Sequence, residues 1–303
     1  MEMKPSKTRM WIKALRLRTL PLAWAGIITG SSVAAAEGKF RWDIFAGALL
    51  TASLFQILSN LANDYGDGIK GTDNEQRQGP LRALQSGLIS PAEMKKAVLL
   101  TALLSLLSAV ILLWMAFGNV NLMFAVYLIL AGAAIWAAIK YTVGRSAYGY
   151  VGLGDLFVLL FFGFVAVAGS YFLYTHRWDT DIVLPSLAIG FMSMAVLNIN
   201  NIRDRETDIL SGKKTIPVLI GLHNAFAYHR ALLSGTMLAL LYFGIKHNWA
   251  PWKFMVLIPP LILFLQSYSL QKNNSAPAYN RMLKNTAMFT LLTALLFAAG
   301  NIF

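Results

Sequence analysis

Acidic residues are scarce in this chain, and they concentrate in two short segments. The sequence holds 14 Asp and Glu residues, and half of them lie within residues 64–75 and 204–208. In each segment an Asn stands four residues before an Asp. The residues with this spacing are Asn60 and Asp64, Asn63 and Asp67, and Asn200, Asp204 and Asp208. Because residues four apart lie on one face of a helix, we expect each set to present its oxygen atoms together.

Oxygen ligands without His or Cys favour a hard cation, above all Mg²⁺. Mg²⁺ ordinarily takes one or two carboxylates and completes its octahedron with water and substrate phosphate oxygens. A single Asp near a helix end is ordinarily a solvated interfacial residue. Two motifs in matching register that hold half of all acids instead favour a magnesium–diphosphate site. The four His residues form no ligand cluster in the sequence and are interpreted as structural or interfacial.

The elements that position these acids are predicted to be membrane-spanning helices. Hydrophobic residues make up 57% of the 303 residues and charged residues 13%, against about 25% charged in soluble domains. A spanning helix needs about 20 mostly apolar residues, and unpaired backbone groups are not tolerated in hydrocarbon, so an all-α fold is predicted. Nine candidate spans are predicted, at 20–36, 43–65, 96–117, 121–142, 152–174, 182–203, 226–245, 251–270 and 284–302.

The positions of the motifs indicate an internal repeat. They lie at the ends of the second and sixth predicted spans, four helices apart. This spacing predicts two pseudo-repeated four-helix halves plus one helix.

The net charge of +12 is better explained by membrane topology than by binding of nucleic acid. With the N-terminus in the cytoplasm, 21 of the 26 Lys and Arg residues fall on the cytoplasmic side, as the positive-inside rule predicts. We therefore expect the C-terminus to lie outside. Residues 1–303 are expected to form a single membrane-embedded domain, with cytoplasmic segments at 1–19, 67–95 and 204–225. A cleavable signal peptide is not expected, because the basic residues of segment 1–19 leave no long apolar core.

Both motifs resemble those of the UbiA superfamily of intramembrane aromatic prenyltransferases, and within it those of the bacterial 1,4-dihydroxy-2-naphthoate prenyltransferases. Leu58–Asp73 resembles the first Asp-rich motif, with Gly71 where the general pattern has Asp and Asp73 as the substitute. The second motif fits the general pattern. Further similar segments are Arg16–Ala23, with Leu17 at a usual Pro position, Gly79–Arg82, Tyr141–Gly144, Tyr148–Asp155, preceded by Ala147 at a common Pro position, and Gly212–Thr215.

The resemblance implies nine transmembrane helices around a central cavity that opens toward the cytoplasm and sideways toward lipid. It implies transfer of a polyprenyl chain from polyprenyl diphosphate to 1,4-dihydroxy-2-naphthoate with decarboxylation, giving demethylmenaquinone and diphosphate. The implied location is the bacterial cytoplasmic (inner) membrane, with the active site facing the cytoplasm. The implied cofactor is Mg²⁺, held by Asn63, Asp64, Asp67, Asp73, Asn200, Asp204 and Asp208.

Other residues near the motifs have two interpretations each. Basic residues that would bind diphosphate oxygens, or else anchor the cytoplasmic side, are Arg16, Arg18, Lys70, Arg82, Lys213 and Lys214. Tyrosines whose rings would shelter a carbocation, or else form an interfacial belt, are Tyr65, Tyr141, Tyr148 and Tyr150. Asp155 could orient or deprotonate a ring hydroxyl of the acceptor, or be a charge favoured at a helix N-terminus. The candidate catalytic residues are Asp67, Asp204, Asp208, Asp155 and Tyr148.

Three other functions are compatible with parts of this pattern. The same fold could act on another aromatic acceptor, such as 4-hydroxybenzoate or haem. An ion-coupled secondary transporter also carries intramembrane acids and repeated halves, but its site would lie near the midplane. A phosphatidyltransferase would place its acids in one compact motif. The sequence does not indicate the length of the prenyl chain.

Overall fold

A computed structural model describes residues 6–71, 82–144, 147–273 and 275–303, and the described residues form helices and turns without any strand. The predicted ligand Asp73 lies outside these ranges. The α-helices are α1 (Lys7–Leu15), α2 (Leu20–Ala36), α3 (Trp42–Lys70), α4 (Pro91–Phe117), α5 (Leu122–Lys140), α6 (Gly154–Val158), α7 (Ser170–Thr175), α8 (Val183–Arg203), α9 (Arg205–Leu210), α10 (Ile216–Lys246), α11 (Ile258–Lys272) and α12 (Ala276–Ile302). A π-helical stretch, Leu159–Gly169, joins α6 to α7.

Eight helices among the described residues are long and apolar enough to cross a membrane. One of them combines α6, the π-helical stretch and α7 into the span Gly154–Thr175. The seventh predicted span, 226–245, lies within α10, which has 31 residues but is not among the eight. Among the described residues, the long helices are therefore these eight apolar spans together with α10.

The helix ends that carry the acids have local physical causes. Helix α3 continues to Lys70 and ends where Gly71 adopts φ 71°, ψ 13°, a left-handed conformation that glycine adopts without a steric penalty. This explains why Gly71 departs from the general motif. The loop expected from residue 67 therefore starts later, and α4 begins at Pro91 behind a capping box between Ser90 and Glu93.

The segment 204–225, which was expected to be a cytoplasmic loop, is mostly helical. Helix α8 ends at Arg203 and α9 follows directly, with Asp204 at the junction. Helix α10 starts at Ile216, ten residues before the predicted span, and Gly221 interrupts it with φ 80°, ψ 162°. The predicted span left out the apolar run 216–222 because Gly221 and the polar residues His223 and Asn224 separate that run from the apolar residues after it.

The long helices pack around one cavity in two corresponding pairs. Helix α3 packs on α4, and α8 packs on α10, while α12 packs against both α2 and α8. Close approach depends on small residues, as is common between membrane helices. A Cβ on Gly163 of the π-helical stretch would lie 2.7 Å from the carbonyl oxygen of Ser186 in α8. The two motif-bearing helices, α3 and α8, thus each pack against the next long helix of the chain.

The outer surface of the bundle is apolar. Helix α4 exposes Leu99, Leu100 and Leu103, and the last of these is 63% exposed. Exposed leucines over several turns fit a helix surrounded by lipid, since the bilayer core offers no water.

Candidate active site

A cavity of about 830 Å³ lies between the helices, and both acidic motifs line it at one end. The motif residues at this polar end are Asn63, Asp64, Asp67, Asn200, Asp204 and Asp208. The cavity continues past apolar side chains such as Leu112, Leu113 and Leu173. The predicted convergence of residues 137 positions apart (Asp67 and Asp204) is therefore present in the fold.

Asp64 is the more deeply buried acid of the first motif, and two arginines pair with it. Arg16 and Arg82 both donate to its Oδ1 atom. Arg16 ends α1 with φ 47°, ψ 50°, an unfavourable conformation for a non-glycine residue. Asn60 braces this turn, because its Nδ2 donates to the carbonyl of Leu15 at 3.0 Å. Asn60 thus positions the N-terminal segment over the site.

Asp67 lies one turn further along α3 and meets groups from the other half of the protein. Its Oδ1 accepts a hydrogen bond from the Tyr150 hydroxyl at 2.9 Å and lies 3.3 Å from the Lys213 ammonium nitrogen. Arg82 Nη2 lies 3.9 Å from Oδ2. Asn63, the partner of Asp67 in the motif, accepts from Thr142 Oγ1 at 3.4 Å. These contacts join α3 to the segments that follow α5 and α9.

The second motif keeps its register across a break in the helix. Asp204 has φ −90°, ψ 4°, yet its N–H donates to the carbonyl of Asn200 at 3.1 Å, and the N–H of Asp208 donates to that of Asp204 at 2.9 Å. The expected common face therefore survives, although α8 and α9 are separate helices.

Arg203 neutralises Asp204 and was not predicted as a site residue. It donates to both carboxylate oxygens of Asp204, at 2.7 and 2.6 Å, and to Asn200 Oδ1 at 2.9 Å. Its Nη1 also donates to Asn280 Oδ1 of α12 at 3.0 Å. Asn280 and Lys284 of α12 both line the cavity. Their spacing of four, which places them on one face of α12, is the signal that could have found them.

Lys213 connects the two motifs. Its ammonium nitrogen lies 3.3 Å from Asp67 Oδ1 and 3.9 Å from Asp208 Oδ1. Burial raises the pKa of the Asp208 carboxyl to about 7, the Lys213 ammonium opposes this, and the neighbouring carboxylates of Asp204 and Asp67 add to it. A cation placed between these acids would favour their charged forms.

The aromatic residues surround the polar end. Tyr150 donates to Asp67, and its ring lies 3.9 Å from Lys70 Nζ and 4.6 Å from Lys213 Nζ. Tyr148 stacks on Phe157 with 3.9 Å between ring centroids. Burial holds the pKa of the Tyr141 and Tyr148 hydroxyls above their usual range. Both hydroxyls therefore stay protonated at neutral pH.

Several predicted residues lie away from the cavity wall. Lys70 is exposed, and its Nζ lies 3.9 Å from the centroid of the Tyr150 ring. The Lys214 side chain is exposed and does not line the cavity.

Asp155 accepts from the Tyr228 hydroxyl at 2.9 Å and is also absent from the lining, so it lies behind the cavity wall at the start of α6. Tyr65 packs in the apolar cluster of α1, α3 and α4. Arg18, in contrast, lines the cavity.

The side chains of this site can supply only part of the coordination shell of Mg²⁺, so other ligands must complete it. Among the described residues, no three Asp, Glu or His side chains converge closely enough to hold a metal by themselves. One or two carboxylates from each motif, with amide oxygens of Asn63 and Asn200 nearby, match the partial shell that Mg²⁺ ordinarily takes from protein. Such a site leaves coordination positions for water and phosphate oxygens.

Comparison with known proteins finds relatives over almost the whole chain. Residues 22–293 match the sequence profile described as the UbiA prenyltransferase family. The chain is 43% identical to the 1,4-dihydroxy-2-naphthoate octaprenyltransferase of Escherichia coli (strain K12), covering 99% of this chain and 97% of the relative. It is 41% identical to the enzyme of the same name from Haemophilus influenzae, covering 97% and 96%.

Solved structures have the same fold at low identity. A UbiA homolog from Archaeoglobus fulgidus bound to Cd²⁺ aligns with a TM-score of 0.65 and 17% identity, covering 98% of this chain and 99% of that one. The same homolog bound to DMAPP and Mg²⁺ aligns with a TM-score of 0.61 and 16% identity, covering 97% and 99%.

Proposed function

Because the chain belongs to the UbiA prenyltransferase family, we propose that it transfers a polyprenyl group from polyprenyl diphosphate to 1,4-dihydroxy-2-naphthoate. The chain is a multi-pass membrane protein. The observation that carries the proposal is the meeting of two acidic motifs at the polar end of an otherwise apolar cavity. Such a cavity suits a donor with an anionic head and a long hydrocarbon tail.

We propose that Asn63, Asp67, Asn200, Asp204 and Asp208 hold Mg²⁺, with Asp64 and Asp73 as further ligands or their partners. Bound Mg²⁺ would act as a Lewis acid that stabilises the negative charge on the departing diphosphate. The support is the oxygen-only donor set and the structure of the Archaeoglobus homolog, which is bound to DMAPP and Mg²⁺.

The basic residues of the cavity bind the diphosphate in this proposal. Arg82 and Lys213 already lie beside the acids, with Arg16 and Arg18 on the same lining. When the allylic C–O bond breaks, the electron pair leaves with the diphosphate, and these cations match the added charge. Lys70 and Lys214 lie outside the lining and are assigned a smaller role.

The apolar part of the cavity protects the carbocation until the acceptor captures it. The faces of Tyr141, Tyr148 and Phe157 stabilise positive charge, and the apolar walls exclude water. The ring carbon that bears the carboxylate attacks the allylic carbon. Its bond to the carboxylate then breaks, CO₂ leaves, and the electrons of that bond return to the ring. The product of these steps is demethylmenaquinone in its reduced, hydroquinone form.

We also propose the bacterial cytoplasmic membrane as the location, with the acidic motifs toward the cytoplasm. The support is the asymmetry of Lys and Arg, with 21 of 26 on that side.

The test is mass analysis of products from purified protein in detergent or nanodiscs. Octaprenyl diphosphate is the first donor to try, since the relatives are named for that chain. With 1,4-dihydroxy-2-naphthoate, we expect a prenylated naphthoquinol that has lost CO₂. With 4-hydroxybenzoate in parallel, we expect no product. Prenylation of 4-hydroxybenzoate alone would contradict the acceptor assignment, and absence of product with every acceptor would contradict the function.

A further inference from the structure

A cation between two long helices, away from the cavity, contacts neutral side chains. Arg230 of α10 donates from Nη1 to Oε1 of Gln271 in α11 at 2.9 Å. Its guanidinium carbon lies 4.5 Å from the centroid of the Tyr268 ring. Within the described residues, none of the ion pairs includes Arg230. The helix pair therefore holds a positive charge in place without supplying the negative charge that would balance it.

A charge that lacks an opposite charge nearby is energetically unfavourable in a membrane protein. An Arg at the surface of a membrane protein is costly unless its guanidinium meets a partner or the lipid head groups. Gln271 offers an acceptor, and Tyr268 offers a ring face, but each is neutral. Arg230 is half-buried, and its guanidinium carries more N–H donors than Gln271 can accept. The remaining donors are suited to an anion that approaches from outside the bundle.

Two neighbouring features also favour the binding of an anion beside Arg230. His223, Ala227 and Arg230 lie at spacings of four and three on α10, so they share a face, and Ala227 leaves open space between the two larger residues. His223 is exposed, and its Nδ1 lies 3.5 Å from Nε2 of Gln271. The interruption at Gly221 restarts the helix just before His223, and the first N–H groups of a helix favour an anion.

An apolar stripe leads away from this group along α11. Leu261, Leu265 and Tyr268 share one face and are exposed, at 44%, 59% and 48%. Tyr268 stands at the end of the stripe nearest to Gln271, close to the C-terminal end of α11. A molecule lying on this surface would meet a cationic group at one end and hydrocarbon-compatible side chains along its length.

We propose that His223, Arg230, Tyr268 and Gln271 bind the phosphate of an anionic phospholipid whose acyl chain lies along Leu261 and Leu265. Basic groups between membrane helices are suited to acidic lipid head groups. The site is separate from the catalytic cavity, since none of these residues lines it. Its assignment does not depend on the proposed reaction.

The experiment measures lipid binding by native mass spectrometry on the full-length protein in neutral detergent. The probes are phosphatidylglycerol, phosphatidylcholine and inorganic phosphate. Arg230→Gln and His223→Ala test the site, and Lys95→Gln removes an exposed cation from α4 as a matched control. The His223 variant alters only an exposed side chain and so tests the site without disturbing the fold.

We expect wild-type protein to bind phosphatidylglycerol in preference to phosphatidylcholine. Arg230→Gln should raise the Kd for phosphatidylglycerol about fivefold, His223→Ala should raise it by a smaller factor, and Lys95→Gln should leave it unchanged. Unchanged binding in Arg230→Gln, or an equal loss in Lys95→Gln, would refute the site. Inorganic phosphate that displaces the lipid at equal concentration would refute a lipid as the occupant.

Discussion

At the residue scale, the acids of the site are already balanced by cations of the protein. Asp64 pairs with Arg16 and Arg82, and Asp204 pairs with Arg203. Lys213 differs from these cations because it lies between acids of two motifs. A buried charge that loses its partner is strongly destabilised. The arrangement therefore places a cation of the protein beside each of these carboxylates, within reach of an anionic substrate.

Lys213→Met should weaken binding of the polyprenyl donor, because it removes the ammonium group that lies between Asp67 and Asp208. We expect the KM for the donor to rise about tenfold or more, the usual scale for a lost charge-assisted contact. Lys214→Met is the matched control, since this neighbour is exposed and outside the cavity lining. Steady-state kinetics should show the control within about twofold of wild type. Equal effects of the two substitutions would contradict the role of Lys213.

Sequence spacing predicted the acids and Lys213 because each lies in a local motif. It did not predict Asn280, which reaches Arg203 from a helix 77 positions away. Nor did it separate Lys213 from Lys214, because two adjacent lysines differ only in which side of the chain faces the cavity. Asp155 was ambiguous in the sequence, and its hydrogen bond to Tyr228 comes from long-range packing.

At the element scale, the ends of the helices decide where the acids point. Thr142 follows α5, and its hydroxyl donates a hydrogen bond to the carbonyl of Ala62 in α3 at 3.1 Å. Gly66 makes room for this contact, since a Cβ there would lie 2.8 Å from the carbonyl carbon of Thr142. The position of Asp67, next to Gly66, depends on this close approach.

Gly66→Ala should therefore push α3 away from Thr142. We expect a loss of about 1–3 kcal/mol of stability, as for other overpacked sites, seen as a lower Tm in detergent. Gly132→Ala is the control, since a Cβ on this α5 residue would meet nothing within 4 Å. The control should melt at or slightly above the wild-type temperature, because alanine favours a helix more than glycine does. If Gly66→Ala melted at the wild-type temperature, the contact between residue 66 and Thr142 would not be tight.

Helix existence was predictable from apolar runs, and helix boundaries were less so. The predicted span 20–36 coincides with α2, whereas the span predicted from 226 belongs to a helix that starts at Ile216. The first residues of α10 are apolar, but the polar residues His223 and Asn224 interrupt the run, so hydropathy does not join them to the span that follows. The break at Asp204 depends on backbone conformation, which the Asn-xxx-Asp spacing does not reveal.

At the scale of the whole molecule, one end of the bundle gathers both motifs, the basic side chains and the short helices α1 and α9. The proposed topology places this end in the cytoplasm. The chain has no Cys, so single cysteines can report the side of the membrane without background. Asn119, after α4, and Ser275, before α12, are both exposed and lie at opposite ends of the bundle.

Labelling with a membrane-impermeant maleimide should therefore separate these two sites. The experiment uses cells whose outer membrane is permeabilised and whose cytoplasmic membrane is intact. We expect Asn119→Cys to react in these cells, and Ser275→Cys to react only after the cytoplasmic membrane is permeabilised. Inverted vesicles should give the reverse pattern. Labelling of Ser275→Cys from outside would reverse the proposed orientation.

The most direct test is binding of geranyl diphosphate, measured by calorimetry for wild type, Asp67→Asn, Asp204→Asn and the double variant, with and without Mg²⁺. Asp43→Asn, at the other end of α3, is the control. If both motifs hold one diphosphate through Mg²⁺, wild-type binding requires the metal. Each single variant should then lose affinity on the order of 100-fold, with the double variant little worse, because residues that act on one ligand are not additive. Binding of geranyl diphosphate without Mg²⁺ would contradict the account. So would a loss of binding free energy in the double variant equal to the sum of the losses in the two single variants.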